Sequence, residues 1–394
     1  MPSYDIVIVG GGTGGICSAA RLRKADSSLR IAVIDPATKH YYQPLWTLVG
    51  GGAFKKEVTE RSEADVMPKG VEWIQKKAVG FEPEAHQVLL EGGESVEYQQ
   101  LIVAAGIQIN WGGIEGLEGN VGRNGLCSNY SYETVDSTWE AIRNFQGGTA
   151  IFTQPSTPIK CGGAPQKICY LAEDAFVRAG VREGAKVLFR SGLGSIFAVA
   201  KYAASLEKVI ERKRIDAKYQ QELVAVDADA KVATFKDLST GETEQIEYEM
   251  MHVTPPMSAP DFIAQSPLAN EAGWVDVNKD TLQHARYPDV FALGDCSSLP
   301  TSKTGAAIRK QAPVLVQSLL AHRRQQSSSA TYDGYTSCPL VTGYGSLILA
   351  EFDYRNEPAE TFPFDQSKER WSMYQLKAHL LPALYWHGML KGRA

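Results

Sequence analysis

The sequence predicts an α/β fold with two Rossmann-like dinucleotide-binding domains and a separate C-terminal segment. Three observations predict it: a complete strand–glycine turn–helix–strand unit opens the chain, a less complete one lies near residue 190, and residues 371–393 are rich in Leu, Tyr and Trp. We predict that the first domain is discontinuous, over 1–108 and 251–325. The second domain then covers 109–250, and the C-terminal segment covers 326–394.

The first unit contains every part of a dinucleotide-binding motif. An apolar, β-branched run at 6–9 leads into the glycine turn at 10–15, and a helical pattern covers 16–24. A second strand at 30–34 ends in Asp35. The order of these parts is more specific than a lone Gly-x-Gly-x-x-Gly, which also occurs in plain loops.

Three glycines and one acid in this unit have distinct physical roles. Gly10 permits the tight turn, Gly12 lets backbone N–H groups approach a pyrophosphate, and Gly15 allows the helix to pack on the strand. The helix N-terminus favours the phosphates because its unpaired N–H groups and dipole attract anions. Asp35 is placed to bond a ribose hydroxyl. The sequence therefore predicts a dinucleotide site in this unit.

Composition and charge exclude several other classes. The chain has 44% hydrophobic and 22% charged residues and a net charge of −5, without a basic domain, so nucleic acid is not a predicted partner. The sequence contains no run of about 18 apolar residues, so a transmembrane helix is not expected. The six cysteines form no C-x-x-C and the seven histidines lack metal-ligand spacing, so no metal is expected. The first strand begins within a few residues, so no leader peptide is expected in this sequence, although one could have been removed.

Two later strand ends carry candidate ligand-binding residues. Ala105 and Gly106 close an apolar strand, where small side chains suit close approach by a flat ligand or, alternatively, simple helix packing. Gly294 and Asp295 follow another strand at its carboxyl end, where ligands of α/β sheets bind, although Asp295 could also cap the next helix. Lys303 adds a cation near the same strand end.

The second glycine turn, at 191–197, follows a strand at 185–190. Phe197 occupies the position of the third glycine, and the next strand, at 216–219, does not end in a clear acid. We therefore predict a Rossmann-like domain whose nicotinamide site is degraded or absent.

The tail at 371–393 fits two structures: an ordinary helix packed on the protein, or an element lying on a membrane surface. In the second, Lys377, Lys391 and Arg393 would lie at lipid phosphates, and Pro382 would limit a continuous helix. The apolar residues that could enter the headgroup boundary are Leu376, Leu380, Leu381, Leu384, Trp386 and Met389. The residues alone leave both structures open.

Six blocks of the chain resemble the sulfide:quinone oxidoreductase family, specifically its mitochondrial-type (type II) branch within the two-dinucleotide-domain flavoprotein superfamily of disulfide reductases. The blocks are HYYQP at 40–44, KCGGAPQK at 160–167, HVTPPM at 252–257, GDC at 294–296, TSCPLVTGY at 336–344 and FPFDQSKER at 362–370. The resemblance covers nearly the whole chain, and the two long cysteine blocks are its most specific parts.

The resemblance implies that the first domain binds FAD. Asp295 should bond the ribityl or phosphate portion, and Lys303 should lie at the pyrimidine end, where reduced flavin carries negative charge. The residues expected at the cofactor are Gly10, Gly11, Gly12, Gly15, Asp35, Gln43, Ala78, Ala105, Gly106, Gly294, Asp295 and Lys303.

The resemblance also implies that Cys161 and Cys338 are the redox-active pair. Sulfide would attack their bridge at Cys338 to form a persulfide, and Cys161 would leave as a thiolate that passes electrons to the flavin. Glutathione, sulfite or sulfide would then accept the sulfane sulfur, and a membrane quinone would take the two electrons. Both cysteines stand beside Pro or Gly in predicted loops, which indicates exposure to a site.

The other four cysteines have weaker signals. Cys17 and Cys169 lie in helical patterns and are expected in the core, and Cys296 is expected to pack beside the cofactor. For Cys127, the sequence leaves open a minor role in handling sulfur.

Use of a membrane quinone favours the membrane-surface structure of the tail. The chain would then be a peripheral or monotopic protein of a bacterial cytoplasmic membrane, or of the mitochondrial inner membrane if a presequence was removed. Phe352, Tyr344 and Trp386 are candidates for the quinone pocket by their place in the tail. The sequence leaves a homodimer open.

Three other functions compete with this one. A type 2 NADH:quinone dehydrogenase shares the architecture but needs an intact nicotinamide turn, against which Phe197 counts, and has no use for a cysteine pair. A pyridine nucleotide–disulfide reductase would place two cysteines a few residues apart near Tyr41, and none are there. A non-catalytic flavin-binding protein would leave both long cysteine blocks unexplained.

Overall fold

A computed structural model describes residues 2–394, and the elements below are those of this range. The strands are β1 (Ser3–Val9), β2 (Ile31–Ile34), β3 (Lys39–Tyr41), β4 (Glu60–Ser62), β5 (Val71–Ile74), β6 (Ala78–Glu82), β7 (Gln87–Leu90), β8 (Ser95–Val103), β9 (Gln108–Ile109), β10 (Leu126–Cys127), β11 (Gly148–Gln154), β12 (Ala185–Ser191), β13 (Asp216–Tyr219), β14 (Gln221–Asp227), β15 (Val232–Asp237), β16 (Thr243–Glu247), β17 (Met250–His252), β18 (Met257–Ser258), β19 (Val290–Ala292), β20 (Thr336–Gly343) and β21 (Ser346–Phe352). The helices are α1 (Thr13–Ala25), α2 (Trp46–Gly50), α3 (Glu63–Val66), α4 (Val135–Asn144), α5 (Ala164–Arg178), α6 (Ala200–Arg212), α7 (Asp261–Ala264), α8 (Gly305–Arg323), α9 (Trp371–Gln375) and α10 (Leu381–His387).

The first sheet joins strands from both ends of the predicted discontinuous domain. Its order is β5-β2-β1-β8-β7-β6, and β19 pairs with the second half of β8. The strands β5, β2, β1, β8 and β19 are parallel, whereas β6 and β7 are antiparallel neighbours. Both faces of β1 are covered, so its apolar residues at 6–9 are all buried, as expected for a central parallel strand.

The second sheet is parallel and has the order β10-β17-β11-β12-β13. Helix α5 follows β11 and helix α6 follows β12, as in a doubly wound fold. An antiparallel unit, β14-β15-β16, extends from this domain. Strand β17 lies inside the second sheet, so this sheet reaches His252, two residues beyond the predicted boundary at 250.

The hairpin β20–β21 bridges the two domains because its side chains alternate between two cores. Val341, Leu347 and Leu349 pack in the core of the first domain. Cys338, Leu340, Ile348, Ala350 and Phe352 pack in the core of the second. The C-terminal segment is therefore not independent of the two domains.

The tail packs along the first domain as a nearly continuous helical rod. Helix α9 passes through a π-helical turn, Leu376–Leu380, into α10, and Pro382 stands in the first turn of α10, where a missing N–H costs little. Trp371 and Leu380 are 67% and 61% exposed. Within residues 2–394, no helix combines the length and apolar character needed to cross a bilayer.

The α/β fold class predicted from the sequence is confirmed. The segment after Asp35 consists of short regular elements: it contains β3, a 3₁₀ turn at Gln43–Leu45 and α2. Pro44 stands in the first turn of that 3₁₀ segment, where proline is compatible with a helix. The proline is a helix-start signal here, not a breaker.

Candidate active site

A cavity of about 540 Å³ lies where the carboxyl ends of the central strands face the hairpin and the tail. Its volume is within the range of small-molecule sites. Its walls include the glycine turn, the 41–47 segment, the end of β8, the Cys161 loop and the start of α8. The tail contributes Leu376, Lys377, Leu381, Leu384, Tyr385 and Met389.

The glycine turn has the close contacts that the sequence pattern requires. Gly10 has a φ of +105°, and a Cβ there would lie 2.4 Å from the Ala104 carbonyl oxygen. A Cβ on Gly15 would lie 1.8 Å from the Gly10 carbonyl oxygen, so only glycine lets α1 pack there. Gly12 has open space at its Cα and lines the cavity, whereas the Gly11 N–H donates to Asp35 Oδ2 at 2.5 Å. The turn therefore presents backbone and the α1 N-terminus to the cavity.

Most of the predicted cofactor residues meet at this cavity. Those that line it are Gly10, Gly12, Asp35, Gln43, Ala105, Gly106, Gly294, Asp295 and Lys303. Gly11 and Gly15 stand in the turn just behind its surface. Ala78 is not among the residues that line the cavity: it begins β6, and its buried side chain packs in the core of the first domain.

Asp295 and Lys303 form a polar end of the cavity. The Lys303 ammonium donates to the backbone oxygen of Asp295 at 2.6 Å and lies 3.7 Å from the Trp274 ring centroid. Burial lowers the pKa of Lys303 and raises that of Asp295, although each side chain opposes the shift of the other. Within residues 2–394, no side chain or backbone N–H donates to the Asp295 carboxylate, which faces the cavity.

These features fit FAD. The glycine turn can hold a pyrophosphate, Asp35 can accept from a ribose hydroxyl, and the unpaired Asp295 carboxylate can accept from the hydroxyls of a ribityl chain. Lys303 supplies a cation where negative charge on a reduced flavin would need one.

The two predicted redox cysteines meet although 177 positions separate them. Cys161 Sγ lies 3.8 Å from Cys338 Sγ. Gly163 makes this approach sterically feasible, because a Cβ there would lie 2.5 Å from Cys338 Sγ and 2.4 Å from Leu340 Cδ2. Cys161 has a φ of +56° in the loop that precedes α5, and its N–H donates to the Lys303 carbonyl at 2.9 Å. The cysteine loop is thereby fastened to the cofactor cavity.

The sequence prediction for Cys338 is partly wrong. Cys338 lies in strand β20, not in a loop, and is 2% exposed. Its neighbours Ser337 and Pro339 point into the cavity, while Cys338 points to the opposite face, toward α5. Cys161 lines the cavity and stands between it and Cys338.

Lys167 is a functional candidate that was not predicted from its sequence pattern. Its ammonium donates to Cys161 Sγ at 3.1 Å and lies 4.0 Å from Cys338 Sγ, and the side chain is buried on α5. The signal was a lysine in the first turn of a helical stretch that begins beside a cysteine.

The two thiols have opposite electrostatic tendencies. A hydrogen bond from Cys338 lowers the pKa of Cys161 well below its ordinary value, and Lys167 lowers it further despite burial. The same contact with Cys161, together with burial, raises the pKa of Cys338. Burial alone would lower the pKa of Lys167, but the two cysteine sulfurs outweigh it and raise the pKa. In the reduced pair, Cys161 is therefore the thiolate and Cys338 the thiol.

Two further lysines border this site. The Lys160 ammonium donates to Gln43 Oε1 at 2.8 Å, and burial lowers its pKa to about 8. Lys377, predicted to lie at lipid phosphates, is instead buried and donates to the Pro44 carbonyl at 2.9 Å. Burial, with repulsion from Lys167, lowers the pKa of Lys377 to about 7. The Lys377 side chain points inward because it lies in the π-helical turn.

The remaining cysteines are buried in the cores. Burial raises the pKa of Cys17 and of Cys127 to about 12 and that of Cys296 to about 11, and it also raises the pKa of Cys169. A buried thiol with a raised pKa is a poor nucleophile. The sulfur-handling role left open for Cys127 therefore finds no support.

The second glycine turn carries an acid where a dinucleotide would need a phosphate site. Ser156 N–H donates to Glu222 Oε2 at 2.9 Å, and a Cβ on Gly192 would lie 2.2 Å from the same oxygen. Phe197, in place of the third glycine, packs edge-on against Phe352 of the hairpin. A carboxylate against the turn repels phosphate, so this turn does not suit a nicotinamide dinucleotide.

The proposed quinone-pocket aromatics are not at the cavity. Phe352, Tyr344 and Trp386 lie outside its lining, because Phe352 packs in the second core and Tyr344 donates to the Gly51 carbonyl. Phe362, Leu349 and Pro339 line it instead, beside Tyr335 and Glu351. Glu351 is buried and holds the 361–366 loop by accepting from the Thr361 N–H and hydroxyl and from Gln366, each at 2.8 Å.

The fold and the cavity define a two-dinucleotide-domain oxidoreductase with a cysteine pair. The family of pyridine nucleotide-disulphide oxidoreductases matches residues 4–136. The chain is 47% identical to "Sulfide:quinone oxidoreductase, mitochondrial" of Mus musculus, over 99% of this chain and 87% of that protein. It is 45% identical to the protein of that name from Dictyostelium discoideum, over 98% and 86%. The chain belongs to the sulfide:quinone oxidoreductase family.

One solved structure of the same name shares the fold. The sulfide:quinone oxidoreductase of the bacterium Aquifex aeolicus superposes with a TM-score of 0.84 at 20% identity, covering 100% of this chain and 92% of that one. The two mitochondrial relatives give no support to the bacterial membrane predicted from the sequence.

Proposed function

We propose that this chain oxidises sulfide at the Cys161–Cys338 pair and passes two electrons through FAD to a membrane quinone. The sulfane sulfur goes to a small acceptor such as glutathione, sulfite or sulfide. The observation that supports this most strongly is the 3.8 Å approach of the two cysteine sulfurs beside the cavity that fits FAD.

The first chemical step is thiol–disulfide exchange with sulfide as the nucleophile. Hydrosulfide attacks the bridged Cys338 sulfur, a new S–S bond forms, the Cys161–Cys338 bond breaks, and its electron pair leaves on Cys161. Cys161 is the better leaving group because Lys167 donates to its sulfur and its pKa is lowered by Cys338 and Lys167. Because Cys338 is almost fully enclosed, the attack needs a local opening of its surroundings.

The second step returns the pair to two thiolates. The acceptor thiolate or sulfite attacks the outer sulfur of the Cys338 persulfide, and the S–S bond to Cys338 breaks, leaving its electron pair on Cys338. Re-forming the bridge removes two electrons from the pair. Bound FAD supplies the chemistry of accepting these two electrons and transferring them to the quinone. Cys161, which lines the cavity, is the cysteine placed to deliver them.

The tail supports peripheral attachment to a membrane. Leu380 is 61% exposed outside the cavity, Leu384 is partly exposed and also lines the cavity, and Leu376, Leu381 and Tyr385 line it as well. One short segment therefore faces both the solvent side, where a bilayer surface could bind, and the cavity that a quinone must enter. The names of the mitochondrial relatives support a mitochondrial membrane as the site of attachment.

The function is tested by adding sulfide and then NADH, separately and without oxygen, to the yellow holoprotein. We expect sulfide to bleach the flavin absorbance or to produce a long-wavelength charge-transfer band, and NADH at the same concentration to leave the spectrum unchanged. Rapid bleaching by NADH alone would instead favour an NADH dehydrogenase.

The cysteine pair is tested by Cys161→Ser and Cys338→Ser. Each variant should keep its FAD and lose sulfide-dependent quinone reduction by at least about 100-fold, because neither can form the bridge. Cys127→Ser is the matched control, since that thiol is buried outside the site. Near-normal turnover in either active-site variant would remove that cysteine from the proposal.

A further inference from the structure

A buried chain of hydrogen bonds connects the tail to the glycine turn. Tyr385, on α10, has its hydroxyl 2.9 Å from Thr13 Oγ1 and 2.6 Å from His40 Nε2. The other ring nitrogen of His40 lies 3.1 Å from Glu63 Oε2. His40, Glu63 and Tyr385 are all buried, yet the reaction at the cysteine pair uses none of them.

The chain ends at the place where the cofactor phosphates would bind. Thr13 is the first residue of α1, and both Thr13 and Tyr385 line the cavity. Around this point the tail is held by the Tyr42 ring 4.6 Å from the Tyr385 ring and by Lys24, which donates to the Gly392 carbonyl at 3.0 Å. The tail is thus a wall of the predicted FAD site as well as a surface element.

The direction of the hydrogen bonds in this series depends on whether Glu63 is protonated. Glu63 Oε1 is buried without a hydrogen-bond partner, and a Cβ on Gly11 would lie 2.7 Å from it. Such an oxygen is tolerated in a neutral acid and is costly in a carboxylate. Burial raises the pKa of Glu63, and Asp35 adds to the shift although His40 opposes it.

When Glu63 is protonated, all the hydrogen bonds of the series are donated in one direction, from Glu63 toward Thr13. Glu63 then donates to His40 Nδ1, His40 Nε2–H donates to Tyr385, and the Tyr385 hydroxyl donates to Thr13 Oγ1. Thr13 has accepted its bond, so its own proton is free to donate into the cavity. In the reverse direction Thr13 would donate to Tyr385 and would turn only lone pairs toward an anion.

We propose that Tyr385 and His40 are positioning residues of the FAD site, which hold Thr13 as a hydrogen-bond donor to the cofactor pyrophosphate. The tail thereby retains the cofactor that the same segment helps to enclose. This inference rests on the proposed assignment of FAD to the glycine turn.

The test is the rate at which FAD leaves the holoprotein after dilution, followed by the rise in free flavin fluorescence. Tyr385→Phe keeps the ring and removes the hydroxyl, so we expect FAD release about tenfold faster, the effect of one lost hydrogen bond to a charged group. Tyr374→Phe is the matched control, because Tyr374 is buried in the same tail and its hydroxyl makes no hydrogen bond within residues 2–394. Equal release rates for the two variants would overturn the proposal.

Two further variants separate positioning from general loosening of the tail. Thr13→Val should also speed release, and the double variant with Tyr385→Phe should be no faster than Thr13→Val alone, because both act through one hydroxyl. Additive effects of the two substitutions would contradict the proposal that Tyr385 acts through Thr13.

The Glu63→Gln variant tests the direction of the hydrogen bonds. It should release FAD at close to the original rate, since its amide can donate to His40 as the neutral acid does. Release as fast as in Tyr385→Phe would refute the direction from Glu63 to Thr13. A wild-type protein that binds no FAD would instead contradict the proposed function itself.

Discussion

Lys167 is the cation in direct contact with the Cys161 sulfur. Its buried ammonium donates to the Cys161 sulfur, and no carboxylate within residues 2–394 pairs with it. A buried cation without a carboxylate is costly unless another anion compensates it, and the Cys161 thiolate is that anion. The pair therefore stabilises the thiolate of Cys161, which is the form that the proposed reaction uses.

Replacing Lys167 should make Cys161 a more ordinary thiol. The pKa of Cys161 is lowered, so in the reduced protein its thiolate persists at pH values below the ordinary thiol value of about 8.5. In Lys167→Met the midpoint of the pH profile for iodoacetamide alkylation of Cys161 should rise by at least about one unit, and sulfide should bleach the flavin at least about tenfold more slowly at pH 7. Lys186→Met, at an exposed position of β12, is the control. An unchanged midpoint would show that Lys167 does not stabilise the thiolate.

Gly163 provides a steric test of the sulfur contact. Gly163→Ala places a Cβ 2.5 Å from Cys338 Sγ, so the two sulfurs must separate or the hairpin must move. We expect much slower sulfide bleaching together with a lower Tm. Gly162→Ala is a matched control one residue away, because a Cβ there meets nothing within 4 Å. Equal activity of the two variants would contradict the described approach of α5 and β20.

At the scale of elements, the second glycine turn has become an anchor for the hairpin. The ring centroids of Phe197 and Phe352 lie 5.6 Å apart in an edge-on contact, and Glu222 occupies the space beside Gly192. The residue that departs from the dinucleotide motif thus packs the strand pair that carries Cys338. Phe197 therefore supports the hairpin, whereas the Glu222 carboxylate is what makes the turn unsuitable for a phosphate.

Restoring the glycine should therefore not restore a nicotinamide site. In Phe197→Gly we expect NADH still to leave the flavin oxidised, because the Glu222 carboxylate remains against the turn. The Tm should fall by several degrees, since the aromatic contact with Phe352 and its buried area are lost. Flavin absorbance and thermal unfolding measure the two effects. Gain of NADH-dependent reduction, or an unchanged Tm, would contradict this account of the turn.

Regular elements and their order were predictable from the sequence because they follow local rules. The turn at 10–15, strand β21 and helix α8 come from glycine spacing, β-branched runs and helical periodicity. The inward direction of Lys377 and the burial of Cys338 were not predictable. They depend on a π-helical turn and on which face of β20 meets α5, and neither leaves a local pattern in the sequence. The His40–Tyr385 contact joins positions too distant for any spacing rule.

At the scale of the whole molecule, one cavity receives side chains from the first domain, the cysteine loop of the second domain, the hairpin and the tail. The proposed cofactor binding, cysteine chemistry and access from a membrane therefore all depend on the assembled chain. This explains why the tail has two faces, with Leu380 and Trp371 outward and Tyr385 and Lys377 inward.

The outward face of the tail should affect the reduction of a quinone held in a membrane, but not the reaction with sulfide. Trp371→Ser combined with Leu380→Ser removes exposed apolar area without touching the cavity lining. We expect weaker binding to lipid vesicles and at least about tenfold slower reduction of a long-chain quinone held in them, with unchanged sulfide bleaching and unchanged reduction of a water-soluble short-chain quinone. Leu238→Ser, at an exposed position of the second domain, is the control. Equal vesicle binding in the double variant and the control would contradict membrane attachment through this face.

The central claim is that Cys338 carries the sulfur taken from sulfide while Cys161 becomes the thiolate beside the flavin. The most direct measurement is peptide mass spectrometry after one equivalent of sulfide is added without oxygen and free thiols and persulfides are alkylated. We predict one additional sulfur on the peptide that contains Cys338 and simple alkylation at Cys161. Additional sulfur on any other cysteine, or no added sulfur on the chain while the flavin stays oxidised, would contradict the account.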